Sequence, residues 1–167
     1  MKTDTMTPQQ YGDWVEDTVK AALEELQAAG PLFYTRLYDT RSASTFLPPQ
    51  PGDFIGICEG TGFLLEVKAS TKFESLAQPG AMRKLIDSKQ ALCSYLACRA
   101  KGDGLFLFRG KTSGAVEIWD GGKVREAYVT PRGALSGAPG GGIRCRAFCE
   151  DADLQATIKN MISEIYL

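Results

Sequence analysis

Residues 52–70 read GDFIGICEGTGFLLEVKAS, two short apolar runs separated by a glycine-containing turn. The pattern predicts two β-strands, over 53–58 and 62–68, joined by a tight turn at 59–61. Because alternate side chains of a strand share a face, Glu66 and Lys68 lie on one face, and the hairpin brings Asp53 beside Glu66. The stretch therefore predicts a sheet with two carboxylates and a lysine gathered on one of its faces.

This grouping of charges has two interpretations. Two carboxylates that are held close repel each other unless a cation lies between them, and oxygen ligands suit a hard cation such as Mg²⁺. Alternatively, Glu66 and Lys68 form a surface ion pair, which contributes little to stability. Since the charges interrupt FLLEV, whose other members favour burial, the sequence favours a metal site that includes Asp53 and Glu66.

Composition excludes several other classes. The 167 residues suffice for one domain with a sizeable core, and no apolar run approaches the length of a membrane span. The N-terminus lacks the pattern of a secretory signal, so we expect a cytoplasmic protein whose five cysteines are free thiols. They lack zinc-site spacing, and there is no histidine, so hydrolysis here depends on carboxylates, lysine or a metal-activated water.

Hydrophobic periodicity predicts a mixed sheet with helices packed against it, an α/β fold in one domain of residues 1–167. We expect a core over about 8–130, a glycine-rich loop at 133–142, and a closing strand and helix within 143–167. The predicted helices cover 8–29, about 82–100 and about 151–165. Besides the hairpin, the predicted strands are 32–38, the run LFLFR after Gly104, 115–119, 124–129 and 143–148, with a proline-rich loop at 41–52.

Two polar residues fall on apolar stripes of these helices. Glu16 lies in line with Val19 and Leu23, so it is the early acid of the first helix that is aimed toward the core. It is a candidate third oxygen ligand or water-holding group, or else a glutamate at the rim of the core. Gln90 lies on an otherwise apolar or small line of the second helix and needs a polar partner there.

Basic residues cluster in a part of the chain with few acids. They form a candidate phosphate-contacting surface, although the net charge of −1 argues against indiscriminate nucleic-acid binding. The cluster comprises Lys68, Lys72, Arg83, Lys84 and Lys89, with Arg36 and Arg41 as a second group.

These motifs resemble the PD-(D/E)XK nuclease superfamily, with Pro51-Gly52-Asp53 as a relaxed first half and Glu66-Val67-Lys68 as the second. Within it, the chain is similar to Holliday junction resolvases of the bacterial RecU type and the archaeal type. The likeness covers about 11–108 and includes GDWVEDTV, with Glu16 as its acid, and DSKQALCSYLA followed by GLFLF. The segment starting at Arg41-Ser42 is similar to a basic-serine segment of the archaeal enzymes.

The resemblance implies a restriction-endonuclease-like mixed sheet with an α-βββ-α-β core, and a Mg²⁺-dependent endonuclease in which Mn²⁺ can substitute. It implies metal ligands at Asp53, Glu66 and the Val67 carbonyl, with Glu16 completing the site and with Lys68 and Gln90 in catalytic roles. It implies a homodimer that acts on four-way or branched DNA in recombination and repair. The residues expected to contact DNA are Arg36, Arg41, Ser42, Ser70, Lys72, Arg83, Lys84 and Lys89.

Three other functions remain open at this stage. The long stalk of RecU-type enzymes is absent, since the interval before Asp53 is short and interrupted by prolines. The chain is therefore alternatively a structure-independent DNA nuclease of phage, repair or restriction origin. It is alternatively a DNA-binding module without catalysis, or a non-nuclease cytosolic domain in which Glu66 and Lys68 merely pair.

Overall fold

A mixed β-sheet forms the centre of the fold. The computed structural model describes residues 3–30, 32–37, 50–129 and 142–167. Within them the sheet has six strands in the order β1 to β6, of which only β3 and β4 run parallel. The strands are β1 Leu32–Arg36, β2 Phe54–Cys58, β3 Thr61–Ser70, β4 Asp103–Gly110, β5 Ala115–Asp120 and β6 Ile143–Phe148.

Helices cover both faces of this sheet. They are α1 Pro8–Ala29, α2 Ala81–Leu85, α3 Ser88–Arg99, α4 Gly121–Val129 and α5 Leu154–Tyr166. Alternation along β4 shows the two layers: Leu105 and Leu107 pack with α1 and α5, whereas Phe106 and Phe108 pack with residues of α2, α3 and α4. The predicted fold class, a mixed sheet flanked by helices with an α-βββ-α-β order, is confirmed.

The predicted hairpin is present and tight. Its two central residues, Glu59 and Gly60, have φ of 47° and 79°. Two successive residues with positive φ are typical of the turn whose twist matches that of antiparallel strands. This turn fixes the register in which Phe54 lies opposite Leu65.

The helix predicted over about 82–100 is two helices. Ile86 is extended, with φ −115° and ψ 130°, which ends α2. The Asp87 side chain then accepts hydrogen bonds from the backbone N–H groups of Lys89 and Gln90, at 2.8 and 2.9 Å, and so begins α3. The single-helix prediction was wrong because a capping residue lies inside an otherwise helical pattern.

The strand predicted at 124–129 is also wrong, because these residues belong to α4. Asp120 Oδ1 accepts a hydrogen bond from Lys123 N at 3.0 Å and favours a helical start. Val124 and Ala127, three residues apart, are the buried positions of this helix together with Gly121. Helical spacing of the buried positions explains why a segment with β-branched residues forms a helix.

The other predicted elements lie partly inside and partly outside the described residues. The first helix, β6 and the closing helix match their predicted positions within a few residues. The loops expected at 41–52 and 133–142 lie almost wholly outside the described residues. The single-domain organisation stays a prediction. No helix in the described ranges is long and apolar enough to cross a membrane.

Glu117 on β5 is fully buried and connects β5 with β6 and with the segment that follows β3. Its Oε1 accepts hydrogen bonds from Arg146 Nη2 and Nε, at 2.6 and 3.0 Å. Its Oε2 accepts from Trp119 Nε1 at 2.7 Å, Ser75 Oγ at 3.0 Å and Leu76 N at 3.3 Å. A buried carboxylate with this many donors holds the segment after β3 against β5.

We expect Glu117→Ala to lower the free energy of unfolding by about 3–5 kcal/mol, because it leaves buried donors without an acceptor. Urea denaturation measures the change. Glu126→Ala is the control, because Glu126 makes an exposed ion pair with Lys123 and its loss costs below about 1 kcal/mol. Equal effects of the two substitutions would contradict the anchoring role of Glu117.

Candidate active site

Asp53 and Glu66 lie opposite each other on one face of the sheet. Asp53 immediately precedes β2, and its backbone N–H donates to the Leu65 carbonyl at 3.0 Å. Extending the register in which Phe54 faces Leu65 by one position places Asp53 across from Glu66. The predicted proximity of the two carboxylates therefore follows from the hairpin register.

The Asp53 carboxylate also contacts the backbone of β3. Its Oδ2 accepts a hydrogen bond from Val67 N at 2.6 Å. In an extended strand the N–H and C=O of one residue point to the same side, so the Val67 carbonyl is directed toward the edge where Asp53 lies. This orientation agrees with the ligand role that the resemblance implies for the Val67 carbonyl.

Glu66 is the most confined acid of the site. It is 2% exposed, and its Oε1 forms an ion pair with Lys68 Nζ at 2.6 Å. The same oxygen accepts a hydrogen bond from Gln90 Nε2. Burial and the nearby negative charge of Asp53 raise the pKa of Glu66 to about 7, against the opposing effect of Lys68. Glu66 and Lys68 thus form a buried pair rather than a surface pair.

Gln90 connects this pair to the start of α3. Its Oε1 accepts a hydrogen bond from the Asp87 backbone N–H at 3.1 Å, which completes a capping box. Because the carbonyl end of the amide is occupied, the NH₂ end is directed at Glu66. The polar partner that the sequence required for Gln90 is therefore present.

Glu16 lies at the border of the site and is held by a cation. Arg36 Nη2 contacts Glu16 Oε1 at 2.6 Å, and Arg36 Nη1 contacts Asp17 Oδ1 at 3.4 Å. Burial is the largest cause that raises the pKa of Glu16, and the negative charge of Asp53 is the next. Glu16 and Asp53 are thus within electrostatic reach of each other, although α1 covers the opposite face of the sheet from Glu66.

The carboxylates of Asp53 and Glu66 are the groups that would hold a hard cation at this site. No three His, Cys, Asp or Glu side chains within the described ranges are grouped so that they would hold a metal ion. Asp53 and Glu66 nevertheless provide carboxylate oxygens on one face, and the charge of Asp53 raises the pKa of Glu66. Mg²⁺ prefers oxygen ligands and would relieve that repulsion. The residues fit Mg²⁺ at Asp53 and Glu66, with Glu16 engaged elsewhere.

The residues predicted to contact DNA are placed differently from one another. Ser70 is buried, and its Oγ accepts hydrogen bonds from Lys72 N and Phe73 N, at 3.0 and 2.8 Å, so it shapes the turn after β3. Arg36 is engaged by acids of α1. Arg41 and Ser42 lie outside the described residues. The exposed members are Lys72 just after β3, Arg83 and Lys84 on α2, and Lys89 at the start of α3.

A feature that the sequence-based predictions missed is an apolar groove of about 760 Å³ on the sheet face that carries Asp53. Phe33, Ile55 and Ile57 are 63%, 43% and 53% exposed and line it, with Ala97 of α3 and Ala100 directly after that helix. The signal was present in FIGIC, which has apolar side chains at both alternating positions. Sequence alone does not tell that α3 leaves this part of the face uncovered.

Comparisons with known proteins find one kind of likeness. No family model matches the chain, and no curated protein matches it. Among solved structures, the fold is similar to that of Hjc from Archaeoglobus fulgidus, a Holliday junction resolvase from an archaeal hyperthermophile. The TM-score is 0.47 at 12% sequence identity, over 90% of this chain and 98% of that chain. The function proposed below rests on the arrangement of the residues described above.

We expect Gln90→Ala to lower the free energy of unfolding by about 2–4 kcal/mol, since it removes a capping contact and a hydrogen bond to a buried carboxylate. Gln10→Ala is the matched control, because Gln10 makes the same capping box at the start of α1 without a buried partner. It should cost about 0.5–1 kcal/mol in the same denaturation experiment. Equal costs would contradict the contact between Gln90 and Glu66.

Proposed function

We propose that the chain is a metal-dependent endodeoxyribonuclease of the cytoplasm that hydrolyses phosphodiester bonds. The observation that carries the proposal is the buried Glu66, which contacts Lys68 and Gln90 and lies opposite Asp53. A buried ion pair is costly unless its geometry is well satisfied, and groups with a displaced pKa concentrate at functional sites. A purely structural ion pair would not need the second carboxylate opposite it.

In the proposed site, Asp53, Glu66 and the Val67 carbonyl hold Mg²⁺ or Mn²⁺, with Glu16 as a further oxygen donor. The bound cation would supply positive charge next to the phosphate and lower the pKa of an attacking water. The chain's own contribution is to hold the oxygen donors in place before substrate arrives. Val67 N fixes one carboxylate and Gln90 fixes the other.

Lys68 is the proposed electrostatic stabiliser of the reaction. Its ammonium group contacts Glu66 at 2.6 Å, and its side chain is 19% exposed. It is therefore close to the carboxylates and accessible to a phosphate that approaches them. Positive charge placed where negative charge develops on the phosphate lowers the barrier of the reaction. Gln90 positions Glu66 and, through it, the Lys68 ammonium.

The proposed substrate is branched DNA such as a four-way junction, in recombination or repair. The exposed basic side chains between the end of β3 and the start of α3, Lys72, Arg83, Lys84 and Lys89, would contact phosphates and set the orientation of the duplex. Phosphate contacts of this kind carry no preference for DNA shape by themselves. The proposed preference for junctions rests on the sequence resemblance to Holliday junction resolvases.

Symmetric cleavage of a junction requires two active sites, so we propose a homodimer. The apolar groove beside the site is the proposed contact between the copies. Contiguous exposed apolar side chains are a common feature of protein–protein interaction sites. Phe33, Ile55 and Ile57 bring no charge to the contact, and Lys101 is the charged residue that also lines the groove.

We expect Asp53→Asn and Lys68→Met to reduce cleavage by at least about 100-fold with Mg²⁺, because each removes charge from the reaction centre. Cleavage of a four-way junction and of a linear duplex at equal salt measures both activity and shape preference. Asp153→Asn and Lys123→Met are the controls, because their side chains are exposed and belong to segments that carry no residue of the proposed site. DNA affinity of the variants should change little.

Variants that cleave as well as the unsubstituted protein would refute the site assignment. Equal cleavage of junction and duplex would refute the junction preference and leave a structure-independent nuclease. Specific binding to DNA, without cleavage in the presence of any divalent metal ion, would identify a DNA-binding module instead.

We expect the protein to sediment at twice its chain mass, and Ile57→Glu to convert it to the monomer, because a charge in an apolar contact is desolvated without a partner. Analytical ultracentrifugation measures the mass. Phe148→Glu is the control, since Phe148 is 68% exposed on β6, at the other edge of the sheet. A dimer that both substitutions leave intact would place the contact elsewhere.

A further inference from the structure

Arg36 joins two parts of the proposed site that lie on different elements. Arg36 is the last residue of β1 and lies opposite Phe54, which is the residue that follows Asp53 in the chain. The residue after it, Leu37, donates its backbone N–H to the Asp53 carbonyl oxygen at 2.8 Å. The guanidinium group is therefore attached to a backbone segment that is hydrogen-bonded to Asp53.

The guanidinium group is turned toward α1. It contacts Glu16 at 2.6 Å and Asp17 at 3.4 Å, and the side chains of Arg36 and Glu16 are 32% and 24% exposed. The contact between Arg36 and Glu16 is short, partly shielded from water and charge-assisted. Glu16 Oε1 is thus bound to a cation that the protein itself supplies.

This contact accounts for the incomplete ligand group. Asp53 and Glu66 share a face, whereas Glu16 is bound by Arg36, and no three acids in the described part of the chain form a metal-binding group. The Arg36 guanidinium group and a metal ion repel each other, so they compete for the Glu16 carboxylate. A bound Arg36 therefore lowers the affinity of Glu16 for a metal ion.

We propose that Arg36 is a positioning residue that withholds Glu16 from the metal until a DNA phosphate binds the Arg36 guanidinium group. The inference rests on the proposed nuclease function and extends it. Arginine binds phosphate through its planar fork of N–H donors, so a phosphodiester is a direct competitor of Glu16. Release of Glu16 then completes the ligand group, and DNA and metal raise each other's affinity.

Binding of Mn²⁺ itself, measured by electron paramagnetic resonance without DNA, tests this order. Arg36→Gln should tighten Mn²⁺ binding roughly three- to tenfold, because it removes a positive charge and frees a carboxylate. Arg36→Lys keeps the charge and should bind Mn²⁺ as the unsubstituted protein does. Arg99→Gln is the matched control, because it makes the same substitution at the exposed end of α3.

Glu16→Gln is a second variant that leaves Arg36 in place. On its own it should change Mn²⁺ affinity by less than about twofold, because Glu16 is already occupied, whereas in the Arg36→Gln background it should abolish the gain. A short DNA duplex, added with Mn²⁺ at a temperature that prevents cleavage, should tighten metal binding in the unsubstituted protein and not in Arg36→Gln.

The outcomes separate this inference from the function on which it rests. Unchanged or weaker Mn²⁺ binding by Arg36→Gln, or a large loss in Glu16→Gln alone, overturns the role of Arg36. If Asp53→Asn abolishes Mn²⁺ binding in the same experiments, the proposed metal site is retained and only the role of Arg36 is rejected. Absence of specific Mn²⁺ binding in every variant overturns the proposed function and the role of Arg36 together.

Discussion

The burial of the Glu66 carboxylate is the constraint on which the rest of the site depends. A carboxylate at 2% exposure is stable only when donors replace the water that it has lost. Lys68 provides one because it lies two residues along the same strand, and Gln90 provides another because α3 begins directly above it. The break before α3 starts that helix near β3 and so brings Gln90 to the same oxygen that Lys68 contacts.

The sheet divides the site between its two faces. Glu66 and Lys68 lie on the face of the sheet that α2, α3 and α4 cover, and Gln90 belongs to α3 itself. Glu16, in contrast, comes from the layer of α1 and α5. Asp53 lies where β2 begins, so the sheet no longer separates the two layers at this point. The site is therefore at an end of a strand, where the proposed DNA substrate would reach groups from both layers without disturbing the core.

The sequence predicts the parts of the site that depend on local periodicity. The shared face of Asp53 and Glu66 follows from the two-residue repeat of a strand, and the need of Gln90 for a partner follows from its place on an apolar stripe. Contacts between distant segments are not encoded in this way. The pairing of Arg36 with Glu16 depends on how α1 crosses β1, and the break at Ile86 depends on a capping bond that competes with a continuous helical pattern.

The last helix of the chain packs on the first. Residues Leu154, Ile158, Met161 and Ile162 of α5 belong to the same apolar cluster as Val15, Val19 and Leu23 of α1. Lys159 and Gln155 also contact Glu25, at 2.8 and 2.5 Å. The α1 helix presents Glu16 at the site, so its orientation is set by a segment that contributes none of the site's residues. The acids and Lys68 are consequently not a module that can be grafted by itself onto another scaffold. Without α5, one apolar side of α1 would be exposed to water and Glu16 would lose its orientation.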